Sequence, residues 1–304
     1  MIESKKIKLI GVDLGGTKVT VGLVLGEEIV EKKYALIPQN TDDWRILADL
    51  IKNLISQIFF EYTDIKGIGI GVPSILDRDK GIIYEVQNIP SWQEVHLADI
   101  LREEFDVPVF LDNDANCFAL GEYYYGEGKN IDNMVGITIG TGLGAGIISR
   151  GSLLADANGG SGEFGMIPYK EGILEDYCSG KFFKKNYNKN GEELMFAAEK
   201  GSVEALRAFE SFGYHLGNAI KIIMYAIDPQ KVIIGGSVVK SAKFFNNSLL
   251  KSVNEFAYKK TLENFEILYS KRDDIAVLGA ASLFFDRILH TPDYLVKDDN
   301  VSGK

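Results

Sequence analysis

A chain of 304 residues has room for one large domain or two of ordinary size, and 46% hydrophobic with 25% charged residues is an ordinary globular composition. A net charge of -10 disfavours nucleic acid or an anionic membrane surface as the main partner. Two cysteines, Cys117 and Cys178, make neither a disulfide framework nor a zinc site alone; with no signal-peptide pattern and no membrane-length apolar run, a reducing, cytoplasmic setting is expected.

The first elements predict strand, turn, strand: residues 8–12, then Asp13-Leu14-Gly15-Gly16-Thr17-Lys18, then 19–25. Adjacent glycines in such a hairpin leave backbone N–H groups facing outward with no side chains over them, a nest suited to a phosphate. Thr17 and Lys18 add a hydroxyl and a cation, and Asp13 could hold a magnesium ion through water. Standing alone, a Gly-Gly-Thr hairpin is a plain turn.

Residues 41–62 predict an amphipathic helix capped by Thr41, burying Trp44, Leu47, Leu50, Ile51, Leu54, Ile55 and Ile58. A buried strand, 66–72, leads into a loop over 77–92 that carries Gln87, Asn88 and Trp92. Ligand contact and a turn or surface role are equally open there. A short helix, 97–105, and a strand, 107–111, precede Asp112-Asn113-Asp114, which falls at the turn into a helix over 115–125. Strand ends facing a cleft are where α/β proteins place their chemistry. Asp114 could take a proton from a substrate hydroxyl, and Asn113 could orient that substrate. A helix N-cap is the competing reading, and the two can coexist.

Residues 134–148 repeat the opening design: apolar strand, Gly140-Thr141-Gly142-Leu143-Gly144, apolar strand. Two phosphate-type hairpins, one in each half, predict two related domains facing each other across a cleft. Neither a P-loop nor a strand–Gly-x-Gly-x-x-Gly–helix unit is present. Glu163 lies among glycines, and Glu175 opens a helix start. Ionised carboxylates there could accept hydrogen bonds from a polyhydroxylated ligand, with solvation or capping as their default roles. Residues 181–201 read as a polar helix. Residues 202–228 read as a long one with Leu206, Phe209, Phe212, Leu216, Ile220, Ile223 and Ile227 on one face. A buried strand, 232–234, leads into Gly235-Gly236, which could let an adenine or ribose lie against the backbone. A helix over 242–258, a strand over 265–268 and a final helix from about 278 follow. A polar tail begins near 290.

Taken in order, these motifs resemble the ROK family (repressor, open reading frame, kinase) of the sugar kinase/Hsp70/actin superfamily, over nearly the whole chain. Asp13–Lys18 is similar to its first phosphate motif, Asn113-Asp114 to its catalytic pair and Gly140–Gly144 to its second phosphate motif. Residues 232–236 resemble its adenosine motif, and 279–281 its closing hinge helix. The resemblance implies an α/β fold of two actin-like (ribonuclease H-like) domains, mixed sheets flanked by helices, with a cleft between. The smaller would hold residues 1–116 with about 280–304, the larger 117–279.

It further implies an ATP- and magnesium-dependent kinase acting on the primary (6-) hydroxyl of a hexose, in a cytoplasmic homodimer. Asp114 would be the general base. Asn113, Asp114, Glu163 and Glu175 would bind the sugar, with Gly144 and Asn88 nearby. Asp13, Gly15, Gly16, Thr17, Lys18, Thr141, Gly142, Gly235 and Gly236 would hold the nucleotide, and Asp13 the magnesium through water.

Two departures stand out. Met166 occupies the place of a histidine that many members carry after the glutamate motif. The loop over 169–174 is short and lacks the cysteines of a zinc loop, and His96, His215 and His290 lie elsewhere, so no structural zinc is expected. Competing functions are an N-acylhexosamine kinase (for N-acetylmannosamine or N-acetylglucosamine), a sugar-sensing repressor and a non-catalytic sugar binder. A repressor would carry a helix-turn-helix ahead of the sugar domain, and Asp13 comes too early in this sequence to leave room for one.

Overall fold

The computed structural model describes residues 7–38, 41–84, 86, 89–154, 156–157 and 159–290. The chain divides into two units, one of Met1–Gly126, Ser152–Gly160 and Arg272–Lys304, the other of Glu127–Gly151 and Ser161–Lys271. The first unit opens with β1 (Lys8–Leu14), β2 (Lys18–Leu25), β3 (Glu28–Leu36), α1 (Trp44–Glu61) and β4 (Ile65–Val72). It continues through β5 (Ile75–Asp77), β6 (Ile82–Tyr84), β7 (Glu94–Val95), α2 (Leu97–Phe105), β8 (Val109–Asn113) and α3 (Asp114–Tyr125). The second unit starts with β9 (Met134–Ile139) and β10 (Leu143–Ser149); β11 (Ser152–Leu153) belongs to the first. The second resumes with β12 (Pro168–Tyr169), β13 (Gly172–Ile173), α4 (Leu174–Cys178), α5 (Gly180–Tyr187), α6 (Gly191–Glu199) and α7 (Val203–Ile227). It ends with β14 (Lys231–Gly235), α8 (Ala242–Val253), α9 (Lys259–Leu262) and β15 (Glu266–Tyr269), and the first unit closes with α10 (Ile275–His290).

The main sheet of the first unit has the order β3-β2-β1-β4-β8. Its first three strands form an antiparallel meander, β4 runs parallel to β1, and β8 runs parallel to β4. Strands covered on both faces need near-continuous apolar runs, and β1, β2 and β4 have them. Ile10, Val12, Val21 and Ile70 pack with Leu47, Ile51 and Ile55 of α1 and Leu101 of α2, while Leu9 and Val24 pack with Leu278 and Ala281 of α10. Glycines bring α10 close. A Cβ on Gly69 would lie 1.8 Å from the Ala280 carbonyl oxygen, and one on Gly279 would lie 1.7 Å from that of Cys117.

In the second unit β10, β9, β14 and β15 are adjacent in that order. β10 is antiparallel to β9, whereas β14 is parallel to β9 and β15 to β14. This repeats the order and directions of β2-β1-β4-β8, so the repeat seen in the glycine turns extends to whole sheets. Behind it α7 buries Phe209, Phe212, Leu216, Ile220 and Ile223, and ends at Asp228, whose φ of 51° closes the helix before Pro229.

Several expectations need correction. The cap of α1 is Asp43, whose carboxylate accepts from Arg45 N at 3.0 Å; the Thr41 hydroxyl instead accepts from Asp43 N, two residues too early to cap. The loop expected over 77–92 contains β6, paired with β5 and β7. Trp92 is fully buried and donates its indole N–H to Trp44 O at 3.0 Å, so it is part of the core. Gln87 and Asn88 lie outside the described residues. The helix expected over 181–201 is two, because Asn188 turns left-handed at φ 51° and Asn190 with Glu193 caps a new start. The helix expected over 242–258 ends at Val253, and α10 starts at Ile275, one turn earlier than expected. Leu206 is exposed, since its side chain falls just outside the buried stripe of α7. α3 lies whole within the first unit, where Gly121 and Gly279 seat it directly on α10.

Candidate functional site

Register across the first sheet gathers the carboxylates. Asp13 on β1 pairs with Gly71 on β4, and Gly71 pairs with Asp112 on β8, so all three sit at one level near the strand ends. The chain then turns into α3. Asn113 is its N-cap: Oδ1 accepts from Ala115 N at 2.9 Å while Nδ2 donates to Ser74 O at 3.3 Å. Asp114 is the first helical residue, and its Oδ1 also accepts from Ala115 N at 2.9 Å. The capping reading therefore holds for Asn113, and it leaves Asp114 one position on.

Burial raises the Asp114 carboxyl above its ordinary range. Asp13 is raised to about 6, first by burial and then by the like charge of Asp114, with Lys18 and Lys32 opposing. Beneath them Asp112 is fully buried and fully partnered. It accepts from Asn113 N at 2.7 Å, Asn116 Nδ2 at 2.8 Å, Arg78 Nε at 3.1 Å and Arg287 Nη2 at 3.1 Å. Arg78 also reaches Asp156 at 2.7 Å. Beside this cluster Gly15 N donates to Lys18 O at 3.0 Å, closing a turn whose Gly16, Thr17 and Lys18 are exposed.

In the second unit the Gly140–Gly142 turn is closed by Gly140 N donating to Gly142 O at 3.1 Å, with Thr141 exposed. The turn is braced from α4 and α5. Glu175 Oε2 accepts from Leu143 N at 2.9 Å, Glu175 Oε1 pairs with Lys181 Nζ at 2.6 Å, and Gly180 N donates to Gly140 O at 2.8 Å. Gly144 is half-buried in β10. Glu163 is exposed at the start of a single 3-10 turn, Phe164–Met166, whose Met166 is exposed as well.

A cavity of about 500 Å³ opens beside the turn, lined by Gly140, Thr141, Lys181, Phe183, Met195 and Phe209 among others. Ser237, directly after Gly235 and Gly236, also lines it. Gly236 has φ 84°, and a Cβ there would lie 2.3 Å from Ile139 O, so only glycine lets the chain leave β14 at this point. Thus Thr141 and the segment after Gly235-Gly236 meet at one cavity, and Glu175 reaches its wall through Lys181. The sequence reading missed Lys181, Phe183 and Met195; Phe209 is core, as expected, and also borders the cavity. Phe183 and Phe209 follow the apolar spacing of their helices, which carries no sign of a cavity.

Where the short loop replaces a cysteine-bearing one, Tyr169 of β12 and His215 of α7 share a hydrogen bond of 3.0 Å, with Tyr177 packed on both rings. Burial, with Lys170 adding to it, lowers His215 to about 4, so its imidazole is neutral. Among the described residues no group of three or more His, Cys, Asp or Glu side chains is placed to hold a metal ion, and no helix is long and apolar enough to cross a membrane.

The pattern of the ROK family matches residues 9–287. The chain belongs to the ROK family. It is 31% identical to a glucokinase of Thermotoga maritima, over 93% of this chain and 99% of that protein. It is 29% identical to a xylose repressor of Bacillus subtilis, over 92% of this chain and 77% of that one. A ROK family glucokinase from Streptomyces griseus, solved in complex with glucose and AMPPNP, superposes with a TM-score of 0.76 at 26% identity, covering 91% of this chain and 98% of the other. This ROK chain therefore has the two-domain actin-like fold of a sugar kinase, and its strand order is duplicated between the two units.

Proposed function

We propose that this ROK protein is an ATP-dependent kinase that phosphorylates the primary (6-) hydroxyl of a hexose, with Asp114 as general base. The observation that carries the reading is the Asp114 carboxylate at the mouth of β8, desolvated so that its basicity is raised, and set one residue after an Asn113 that is itself fixed by the helix start. A base with a raised pKa sits closer to working pH and takes a hydroxyl proton more readily.

Asn113, Asp114, Glu163 and Glu175 are the proposed contacts to sugar hydroxyls. The Gly15–Lys18 turn and the cavity beside Thr141 and Gly142 are the proposed seats for phosphate and nucleoside. Its Phe183, Phe209 and Met195 wall suits an adenine face, while Lys181, Lys184 and Lys240 suit phosphate oxygens. Asp13 is the proposed holder of magnesium, through water, because a buried carboxylate raised beside the charge of Asp114 is relieved by a nearby cation. Magnesium, when bound, supplies neutralisation of phosphate charge. The protein's own part is positioning and proton removal, which is most of what phosphoryl transfer asks of it.

Met166 offers no donor where a ring nitrogen would face the sugar, so discrimination near C1 and C2 rests on Glu163 and Glu175. This keeps an N-acylhexosamine as the alternative substrate. A coupled ADP-release assay across glucose, mannose, fructose, allose, N-acetylglucosamine and N-acetylmannosamine tests both. Turnover of at least one is expected, and Asp114→Asn should lower kcat by about a thousandfold or more while sugar binding stays measurable. Silence on every sugar, or near-normal turnover by the variant, would overturn the assignment.

A further inference from the structure

Lys181 stands in two places at once. Its ammonium is 2.6 Å from Glu175 Oε1, and its side chain lines the cavity beside Gly140 and Thr141. The other oxygen of Glu175 accepts from Leu143 N, at the far end of the same turn. Gly142 lies so close that a Cβ there would come within 2.6 Å of that oxygen. Glu175 is 18% exposed and held at Oε2 by Leu143 N, whereas Lys181 is half exposed and has a long flexible stem. Whatever anion enters the cavity competes with Glu175 for one mobile cation.

We propose that Lys181 couples the two substrates: it leaves Glu175 for the phosphates of a nucleotide, and so frees a carboxylate oxygen to accept a hydroxyl of the sugar. This rests on the kinase reading and adds a regulation of the same site. Before nucleotide arrives, the ammonium holds one acceptor position of Oε1 and draws on its charge, so a sugar hydroxyl meets a weakened acceptor. Once the ammonium has moved to phosphate, Oε1 is an uncommitted acceptor on an ionised group, which forms the stronger class of hydrogen bond. By linkage the effect is reciprocal: a sugar that engages Oε1 releases Lys181 to the nucleotide. Nucleotide and sugar then bind with positive cooperativity, through a single side chain.

Lys181 is accordingly a positioning residue, and its test needs signs that mere damage to the site would not produce. AMPPNP with magnesium is titrated calorimetrically into wild type, Lys181→Met, Lys181→Arg, Glu175→Gln and the Lys181→Met/Glu175→Gln double variant, each first checked by thermal melt. Lys181→Met should weaken AMPPNP by about three- to tenfold, and Lys181→Arg should restore most of it. Glu175→Gln keeps the acceptor for Leu143 N but releases the cation, so it should bind AMPPNP about two- to fivefold more tightly; in the Lys181→Met background that gain should vanish.

Repeating the titrations with the best sugar of the turnover panel should tighten AMPPNP in wild type and leave Lys181→Met unmoved. If Glu175→Gln weakens AMPPNP, or acts equally with and without Lys181, the coupling is wrong while the kinase reading stands. If wild type binds no AMPPNP and turns over no sugar, the kinase reading fails and the coupling with it.

Discussion

Asp13 and Asp114 illustrate how one pair of side chains ties stability to chemistry. The Asp13 carboxyl is raised from 3.8 to about 6, so between those values the folded protein keeps a proton that the unfolded chain has released. The contribution of Asp13 to stability is thus full below the lower value and is lost as pH rises through the upper one. Asp13→Asn removes that loss. In the absence of divalent cations the variant should gain on wild type as pH rises from about 4 to 6.5, by up to about 3 kcal/mol. Paired urea titrations across that range measure it, and a difference that stays flat would show that the Asp13 carboxyl is not raised in the folded protein. The register that brings Asp13 to Gly71 and Gly71 to Asp112 was invisible in the sequence, because strand order sets it and strand order is not local.

Among elements, α10 is held by absence of side chains. Gly69 and Gly279 admit it to direct contact with β4 and α3, closer than any Cβ allows. Gly69→Val should cost about 2–3 kcal/mol in urea unfolding, because Ala280 must be pushed off the sheet. At Gly160 nothing lies within 4 Å of a built Cβ, so Gly160→Ala should stay within about 0.5 kcal/mol. Equal effects at the two sites would sink the packing argument. A second tie of the same unit is Asp112, whose Arg78 partner also grips Asp156 and so fastens the 152–160 segment. Removing Arg78 leaves the buried Asp112 paired with Arg287 but without one of its two guanidinium partners, so Arg78→Met should cost about 2 kcal/mol in the same urea titrations.

For the molecule as a whole, the short β12–β13 hairpin is fastened by Tyr169, Tyr177 and a neutral His215. Ring packing and hydrogen bonding of this kind need no metal. Purified protein should hold less than about 0.1 zinc per chain by elemental analysis, and a chelator should leave the melting temperature unchanged. Stoichiometric zinc would refute this.

The sequence alone determined the order of the glycine turns, the Asn113-Asp114 pair at a strand end and the duplication of the design, since each is written in contiguous residues whose backbone needs are local. Tertiary structure decided the rest. Lys181, Phe183, Met195 and Phe209 become a cavity only when α5, α6 and α7 pack, and along their own helices they read as ordinary polar or apolar positions. The repulsion between Asp13 and Asp114, and the shared hold of Glu175 and Lys181 on one turn, likewise arise between residues far apart in the chain, where sheet register and packing, and no local spacing, set the distances.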